Sequence, residues 1–206
     1  MWALIEDNTI TKIINNPKAM VIGDTQYSRN IFSFRWSNAE REAIGLYEIV
    51  FDNSKKKDEA YYINTNQSFA FADGVVTASF GSATAKAHAD TTWSQDDEDA
   101  GDLPSDKSVG DVRTRGLKYN LIQTIKKQAA GILQDTDWYI VRKADASTAV
   151  PSAITTHRAA VRTKAAAQET QITNASDTPA LETLYTYTTT DGVQSRPLGE
   201  LPTLES

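Results

Sequence analysis

Residues 68–80 read Ser68-Phe69-Ala70-Phe71-Ala72-Asp73-Gly74-Val75-Val76-Thr77-Ala78-Ser79-Phe80, and this stretch decides the character of the first part of the chain. The pair Asp73-Gly74 separates two extended runs. Asp-Gly is a strong hairpin signal because both central residues of a type I′ turn need a positive φ. The stretch therefore predicts a two-stranded antiparallel hairpin.

Several shorter extended runs precede this hairpin and are separated by turn residues. Asp7-Asn8 joins residues 3–5 to residues 9–14, which predicts another tight hairpin. Ser37 and Glu40 have the spacing of a capping box, so we expect a short helix there, closed by Gly45. About eight short strands with regular turns predict a small antiparallel β domain over residues 1–82, sandwich-like or barrel-like.

Residues 83–110 differ in composition from the segment before them. Seven acidic residues fall from Asp90 to Asp106, and no basic residue occurs there before Lys107. Gly101 and Pro104 interrupt the segment. We expect an acidic linker or a solvated loop.

Residues 111–190 have helical periodicity. One apolar stripe at steps of three and four predicts a helix of about twenty residues. The stripe consists of Leu117, Leu121, Ile122, Ile125, Ala129, Ile132 and Leu133. Thr136-Asp137 offers the N-cap of a second, short helix, and Val150-Pro151 opens a third.

The C-terminal part completes an α+β fold class. Asp177-Thr178-Pro179 is expected to cap a last short helix that runs through Leu184. Residues 111–190 then form a helical hairpin or bundle, and residues 191–206 an extended polar tail.

Composition excludes several functional classes. The 206 residues carry a net charge of -6, contain no cysteine and contain two histidines. A general nucleic-acid binder needs a basic face, so we expect no nucleic-acid partner. We read no signal peptide and no run of 18 apolar residues, so we also expect no membrane association.

No catalytic signature is present in the sequence. It contains no nucleophile elbow, no phosphate-binding glycine loop and no dinucleotide fingerprint. We expect His157 to lie on a helix surface, since no nucleophile or orienting carboxylate is signalled near it. The run Asp96–Asp99 does not have the ligand spacing of an EF-hand, and a solvated charge run is the simpler interpretation. We therefore predict no catalytic residue, no metal and no cofactor.

Three further features have two interpretations each. The loop around Lys55-Lys56-Lys57 is either an exposed hairpin loop or an anion site. Trp138 is either a core residue between helices or an interface anchor. Five aromatic residues could form a ligand platform, although alternation on strands places about half of such residues in a core. These five are Tyr61, Tyr62, Phe69, Phe71 and Phe80.

The helical part resembles a known family at several places. Residues 133–139, then Arg142-Lys143, Val150-Pro151 and residues 157–162, are similar to the pattern L-x-x-T-D-W…P…Y-R-x-x-[LV]-R. That pattern occurs in tail fibre assembly proteins and related tail-associated proteins of tailed bacteriophages. His157 stands where the family usually has Tyr.

Two other stretches extend the resemblance. Residues 122–131 resemble the helix that precedes this motif in proteins of marine phages, including those of cyanobacteria. Residues 2–17 resemble the β start of such proteins. The assembly chaperones commonly end in a Trp-Pro segment, whereas the tail from Arg196 to Pro202 lacks Trp. This departure, with the preceding β domain, favours a protein that stays in the particle.

The resemblance implies a non-enzymatic structural component of the virion, in the tail, baseplate or fibre-attachment region. Such a protein would be synthesised in the host cytoplasm and would join other tail or fibre proteins through its β domain and its helices. The alternative is a cytoplasmic tail fibre chaperone that is absent from the particle, and a glycan-cleaving enzyme is a more distant one. We also expect a homo-oligomer, because small residues on the third helix suit close helix packing. The expected interface residues are Trp138, Tyr139, Arg142, Arg158 and Arg162.

Overall fold

The computed structural model describes residues 1–204 and divides the chain into two compact units. The N-terminal unit ends at Thr84, and the C-terminal unit begins at Ala85. Strands dominate the first and helices dominate the second, so the α+β class predicted from the sequence is confirmed.

The N-terminal unit contains strands, one 3₁₀ turn and one short helix. Its strands are β1 (Trp2–Glu6), β2 (Thr9–Ile14), β3 (Met20–Ile22), β4 (Thr25–Tyr27), β5 (Leu46–Asp52), β6 (Tyr62–Ile63), β7 (Ser68–Ala72) and β8 (Val75–Ser79). The 3₁₀ turn covers Arg29–Phe32 and helix α1 covers Asn38–Glu42. Strand β9 (Thr84–Ala85) spans the boundary between the units.

The main sheet has the strand order β2-β1-β5-β8-β7 and curls into a half-barrel. Its pairings are antiparallel, except that β5 and β8 run parallel. The predicted hairpin at Asp73-Gly74 is confirmed, with Ala72 opposite Val75 and Ser68 opposite Ser79. Asp73 and Gly74 both have positive φ, at 50° and 74°, as a type I′ turn requires. Turn chemistry therefore sets the register of this edge of the sheet.

Two apolar clusters lie on opposite sides of the sheet. The inner cluster contains Ala3, Ile5, Ile49, Val76 and Ala78, which alternate with outward-facing residues on their strands. The outer cluster contains Trp2, Ile14, Ile31 and Leu46. Each face of the sheet therefore has buried residues of its own.

Helix α1 closes over the outer cluster. Its capping box is confirmed, because the Ser37 side chain accepts from the Glu40 backbone N–H and Glu40 reaches back to Ser37. Arg41 is buried, lies 4.8 Å over the Trp2 ring and donates to the Ile31 carbonyl.

Gly45 turns the chain from α1 into β5, as expected. Its φ is +79°, and a Cβ there would lie 2.4 Å from the Ile5 carbonyl oxygen. Any other L residue at this position would therefore force the backbone of β1 to move.

The five aromatic residues do not form an exposed platform. Tyr61 and Tyr62 are buried, and Phe69 and Phe71 pack against the inner cluster. Phe80 is half-buried, with the Lys56 ammonium 5.6 Å from its ring centroid. The lysine loop itself is exposed.

The C-terminal unit contains the four helices predicted from periodicity and capping signals, and a further short helix, α2, that was not predicted. Its helices are α2 (Gln95–Asp99), α3 (Leu117–Gln134), α4 (Asp137–Ala146), α5 (Ser152–Asn174) and α6 (Thr178–Tyr185). Its short strands are β10 (Thr91–Thr92), β11 (Val112–Thr114), β12 (Thr188–Thr190) and β13 (Val193–Ser195).

Helices α3 and α5 form the framework of this unit. Ile125 and Ala129 of α3 are buried, and so are Val161 and Ala165 of α5. The rest of the predicted α3 stripe is half-buried. The predicted Asp177 cap of α6 is confirmed, because its side chain accepts from the Ala180 N–H at 2.8 Å. No helix within residues 1–204 is long and apolar enough to cross a bilayer.

The acidic segment is more ordered than the linker that we expected. From Ala85 onward it belongs to the C-terminal unit, and it contributes strand β10, which pairs with β11, and helix α2. The Lys86 carbonyl accepts from the Thr178 hydroxyl at 2.6 Å. The segment hydrogen-bonds to α3, β11 and α6, which lie far along the chain, and these contacts hold it within the C-terminal unit.

The C-terminal segment is also packed rather than an extended free tail. After the β12–β13 hairpin, Leu198 is fully buried. The Lys164 ammonium donates to the Leu198 carbonyl at 2.9 Å, and the Gln168 amide donates to the Gly199 carbonyl at 2.9 Å. The tail therefore belongs to the core of the helical unit up to these residues, while positions 205 and 206 lie outside the described residues.

Candidate interaction surface

The five predicted interface residues separate into three environments. Trp138, Tyr139 and Arg142 come together on helix α4. Arg158 lies in the fold interior, and Arg162 is exposed one turn further along α5. The sequence therefore identified the cluster on α4, but it grouped with that cluster Arg158, which makes its contacts inside the fold.

Arg158 joins the end of α3 to the start of α4. It is 7% exposed. Its Nη1 donates to the Leu133 carbonyl at 2.7 Å and to the Thr136 hydroxyl at 2.6 Å, while Nη2 donates to the Asp137 carboxylate at 2.8 Å. Because the last carbonyls of a helix lack intrahelical donors, Arg158 serves as the C-terminal cap of α3. Although the sequence analysis places Arg158 among the interface residues, its guanidinium lies inside the fold.

Thr136 has the position predicted for it but a different bonding role. It is the N-cap residue of α4, yet its side chain makes no capping bond to that helix. Its hydroxyl donates instead to the Leu133 carbonyl at 3.0 Å and accepts from Arg158. The corner between α3 and α4 is therefore held by a small buried network.

Helix α4 presents a stack of two rings and a guanidinium. The Trp138 and Tyr139 ring centroids are 3.8 Å apart, and the Arg142 guanidinium carbon lies 4.7 Å from the Trp138 centroid. Trp138 is 51% exposed, so the core interpretation of this residue is wrong. Ile140 and Val141 beside it are also exposed. Tryptophan and arginine with apolar neighbours are the residue types that dominate protein interfaces.

The acidic segment supplies hydrogen-bond acceptors for the backbone N–H groups at the start of α3. Gly116, the N-cap residue, has no side chain to accept from that helix. The Leu117 and Lys118 N–H groups donate to the carbonyls of Ala87 and His88, and the Gly116 N–H donates to Asp90 at 2.8 Å. That hydrogen bond, followed by the one from Arg115, holds the pKa of Asp90 below its ordinary value.

Helix α2 has a polar anchor of its own. Its capping box joins Ser94 and Asp97, and Asp97 also pairs with Arg113 at 2.8 Å. Hydrogen bonds from Ser94 are the main cause that lowers the pKa of Asp97, with Arg113 adding to the effect. Within residues 1–204, no three histidine or carboxylate side chains cluster in a way that could hold a metal ion.

His157 does not lie on the helix surface as expected. It is 8% exposed and lines a shallow cleft with Thr156 and the segment Pro202–Leu204. Packing of the C-terminal segment on α5 buries it, and no local pattern signals this packing. His88 is half-buried.

The comparisons with known proteins give no match: no family model, no curated protein and no solved structure matches the chain.

Proposed function

We propose that this protein is a non-enzymatic structural component of a phage virion, in the tail, baseplate or fibre-attachment region. In this proposal the N-terminal β unit binds one tail or fibre protein and the helical unit binds another. The protein is made in the host cytoplasm and acts in the assembled particle. The motif resemblance in α3 to α5 supports the phage assignment.

The observation that carries the proposal is the amount of surface that the chain exposes. Its accessible area is 13422 Å². Two compact proteins with the lengths of the two units would together expose roughly 11,400 Å². The excess of about 2,000 Å² exceeds what one partner contributes to a standard interface, about 800 Å². A protein built to be covered by neighbours has this property.

The distribution of exposed apolar side chains supports the same proposal. Phe34 of the N-terminal unit is 94% exposed, and Trp138 and Val141 are exposed on α4. Each unit therefore carries large apolar side chains that association with a partner would remove from water.

Quantitative mass spectrometry of purified particles of the encoding phage tests this proposal. We expect the chain at a fixed ratio to the tail tube or sheath protein, and that ratio would indicate its symmetry. Detection in infected-cell lysate but not in particles would overturn the proposal and favour the alternative, a tail fibre assembly chaperone. A pull-down with the fibre protein would then follow.

A further inference from the structure

Helix α4 has an arginine whose hydrogen-bonding capacity the chain does not use. Arg142 forms no hydrogen bond or ion pair within residues 1–204, and its Nε is buried without an acceptor there. Its guanidinium lies over Trp138 and 5.4 Å from the Tyr139 centroid. Stacking restricts the guanidinium, and a restricted guanidinium binds carboxylates well because less freedom is lost on binding.

Helix α2 has the complementary arrangement of charge. The Gln95 amide nitrogen donates to Glu98 at 2.7 Å and to Asp99 at 3.0 Å, so one nitrogen holds two carboxylates close together. Within the described part of the chain, neither carboxylate pairs with a basic side chain. Two anions held this close repel each other, and a cation between them would relieve the repulsion.

Apolar side chains accompany the charges on both elements. Trp138 and Val141 are exposed on α4. Val109 and Val112 are exposed and flank Gly110 and Asp111, which hydrogen-bond to the backbone of Trp93, two residues before α2 begins. The α4 face therefore offers the cation of Arg142 beside apolar area, and α2 offers two carboxylates that a cation can bind.

We propose that the α4 face of one copy, centred on Trp138 and Arg142, binds helix α2 of a second copy. Arg142 inserts between Glu98 and Asp99, and Trp138 and Val141 pack on Val109 and Val112. Because two different patches of the same chain meet, the contact is heterologous and generates a ring or an open chain of copies. The test of this self-association uses the purified chain alone, so its outcome is distinguishable from that of the virion role proposed above.

Sedimentation velocity of the full chain over a concentration series tests the contact. We expect reversible association that weakens as salt rises, since exposed charges are screened. R142E should weaken association by about tenfold or more, because it replaces the central cation with an anion. K127E provides the control: Lys127 is exposed on α3 and makes no ion pair within residues 1–204.

Charge reversal on α2 tests whether α2 is the element that binds the α4 face. E98R should weaken association as R142E does, and the double variant E98R/R142E should recover to within about threefold of the unmodified chain. W138A should weaken association without changing the circular dichroism spectrum, because the ring is exposed.

Any of three results would overturn the proposal. The first is a chain that stays monomeric at every concentration in low salt. The second is an equal effect of R142E and K127E. The third is no recovery in the double variant, which would show that α4 binds something other than α2.

Discussion

Arg158 shows how one side chain organises a helical corner. Its three acceptors come from the end of α3, the connection and the start of α4, so one cation fixes the angle between two helices. Asp137 is more than half exposed, and its ion pair contributes less than the hydrogen bonds to Leu133 and Thr136. Most of the stabilisation therefore comes from the buried carbonyl and hydroxyl.

We expect R158A to lower the free energy of unfolding of the helical unit by about 2–4 kcal/mol. The variant leaves the Leu133 carbonyl without its strongest donor and opens space beside Thr136. R162A, one turn away and exposed, should change it by less than about 0.5 kcal/mol. Urea unfolding followed by far-UV circular dichroism measures the free energy of unfolding of both variants. Equal effects of R158A and R162A would contradict the capping role of Arg158.

Asp90 should make stability depend on pH. Hydrogen bonds from the Gly116 N–H and Arg115 lower its folded-state pKa below the ordinary value of 3.8. The unfolded state then binds the proton more readily, so the contribution is fully present above pH 3.8 and is lost as pH falls through the folded pKa.

The matched variant for this prediction is D90N. Because it lacks the titrating group, we expect its stability to fall less than that of the unmodified chain between neutral pH and acid. Asp97 has a lowered pKa as well, so the difference between the two proteins is the quantity to measure. Parallel pH profiles of urea unfolding would contradict the role of Asp90.

For helices and strands, signals between neighbouring residues predicted the structure well. Contacts between residues far apart in the sequence left no pattern from which they could be predicted. The hairpin at Asp73-Gly74, the capping box at Ser37 and the cap at Asp177 all depend on residues within a few positions of each other. By contrast, Arg115 pairs with Asp90, which is 25 residues away, and Lys164 donates to the carbonyl of Leu198, which is 34 residues away.

The same distinction explains the candidate interaction surface. Trp138, Tyr139 and Arg142 share one short helix, so spacing alone groups them. Arg158 meets Leu133 across 25 residues, and only the packing of α5 against α3 brings them together. Arg158 and Arg162 are four positions apart on α5, yet Arg158 is buried and Arg162 is exposed.

The C-terminal segment should contribute to the stability of the helical unit, because α5 holds it in place. Leu198 is fully buried, and three side chains of α5 donate to the carbonyls of residues 197–199. L198A should therefore destabilise the helical unit by about 2–5 kcal/mol. V193A is the control, since Val193 is exposed on β13 and should change stability by less than about 0.5 kcal/mol. A free tail would make the two variants equivalent in thermal unfolding.

For the whole molecule, the excess accessible area leads to an expectation about which residues are buried in the assembled particle. Of the roughly 2,000 Å² beyond that of two compact units, a large part must become buried when the partners proposed for the virion bind. The residues that become protected should be those whose exposure in the free chain is highest for their type. Phe34 and Trp138 meet this condition, one in each unit.

Hydroxyl-radical footprinting of the free chain and of particles that contain it tests this claim residue by residue. We expect Phe34 and Trp138 to be labelled in the free chain and protected several-fold in the particle, because the ring of each would lose its solvent contact. Ile125 and Leu181, buried in the helical unit's own core, should be weakly labelled in both states. Protection of Trp138 alone would mean that the covered surface lies on the helical unit, whether a second copy or another tail protein covers it, and that the β unit faces solvent. Unchanged labelling of both rings would mean that the excess surface remains exposed in the particle, which would contradict the proposed structural role.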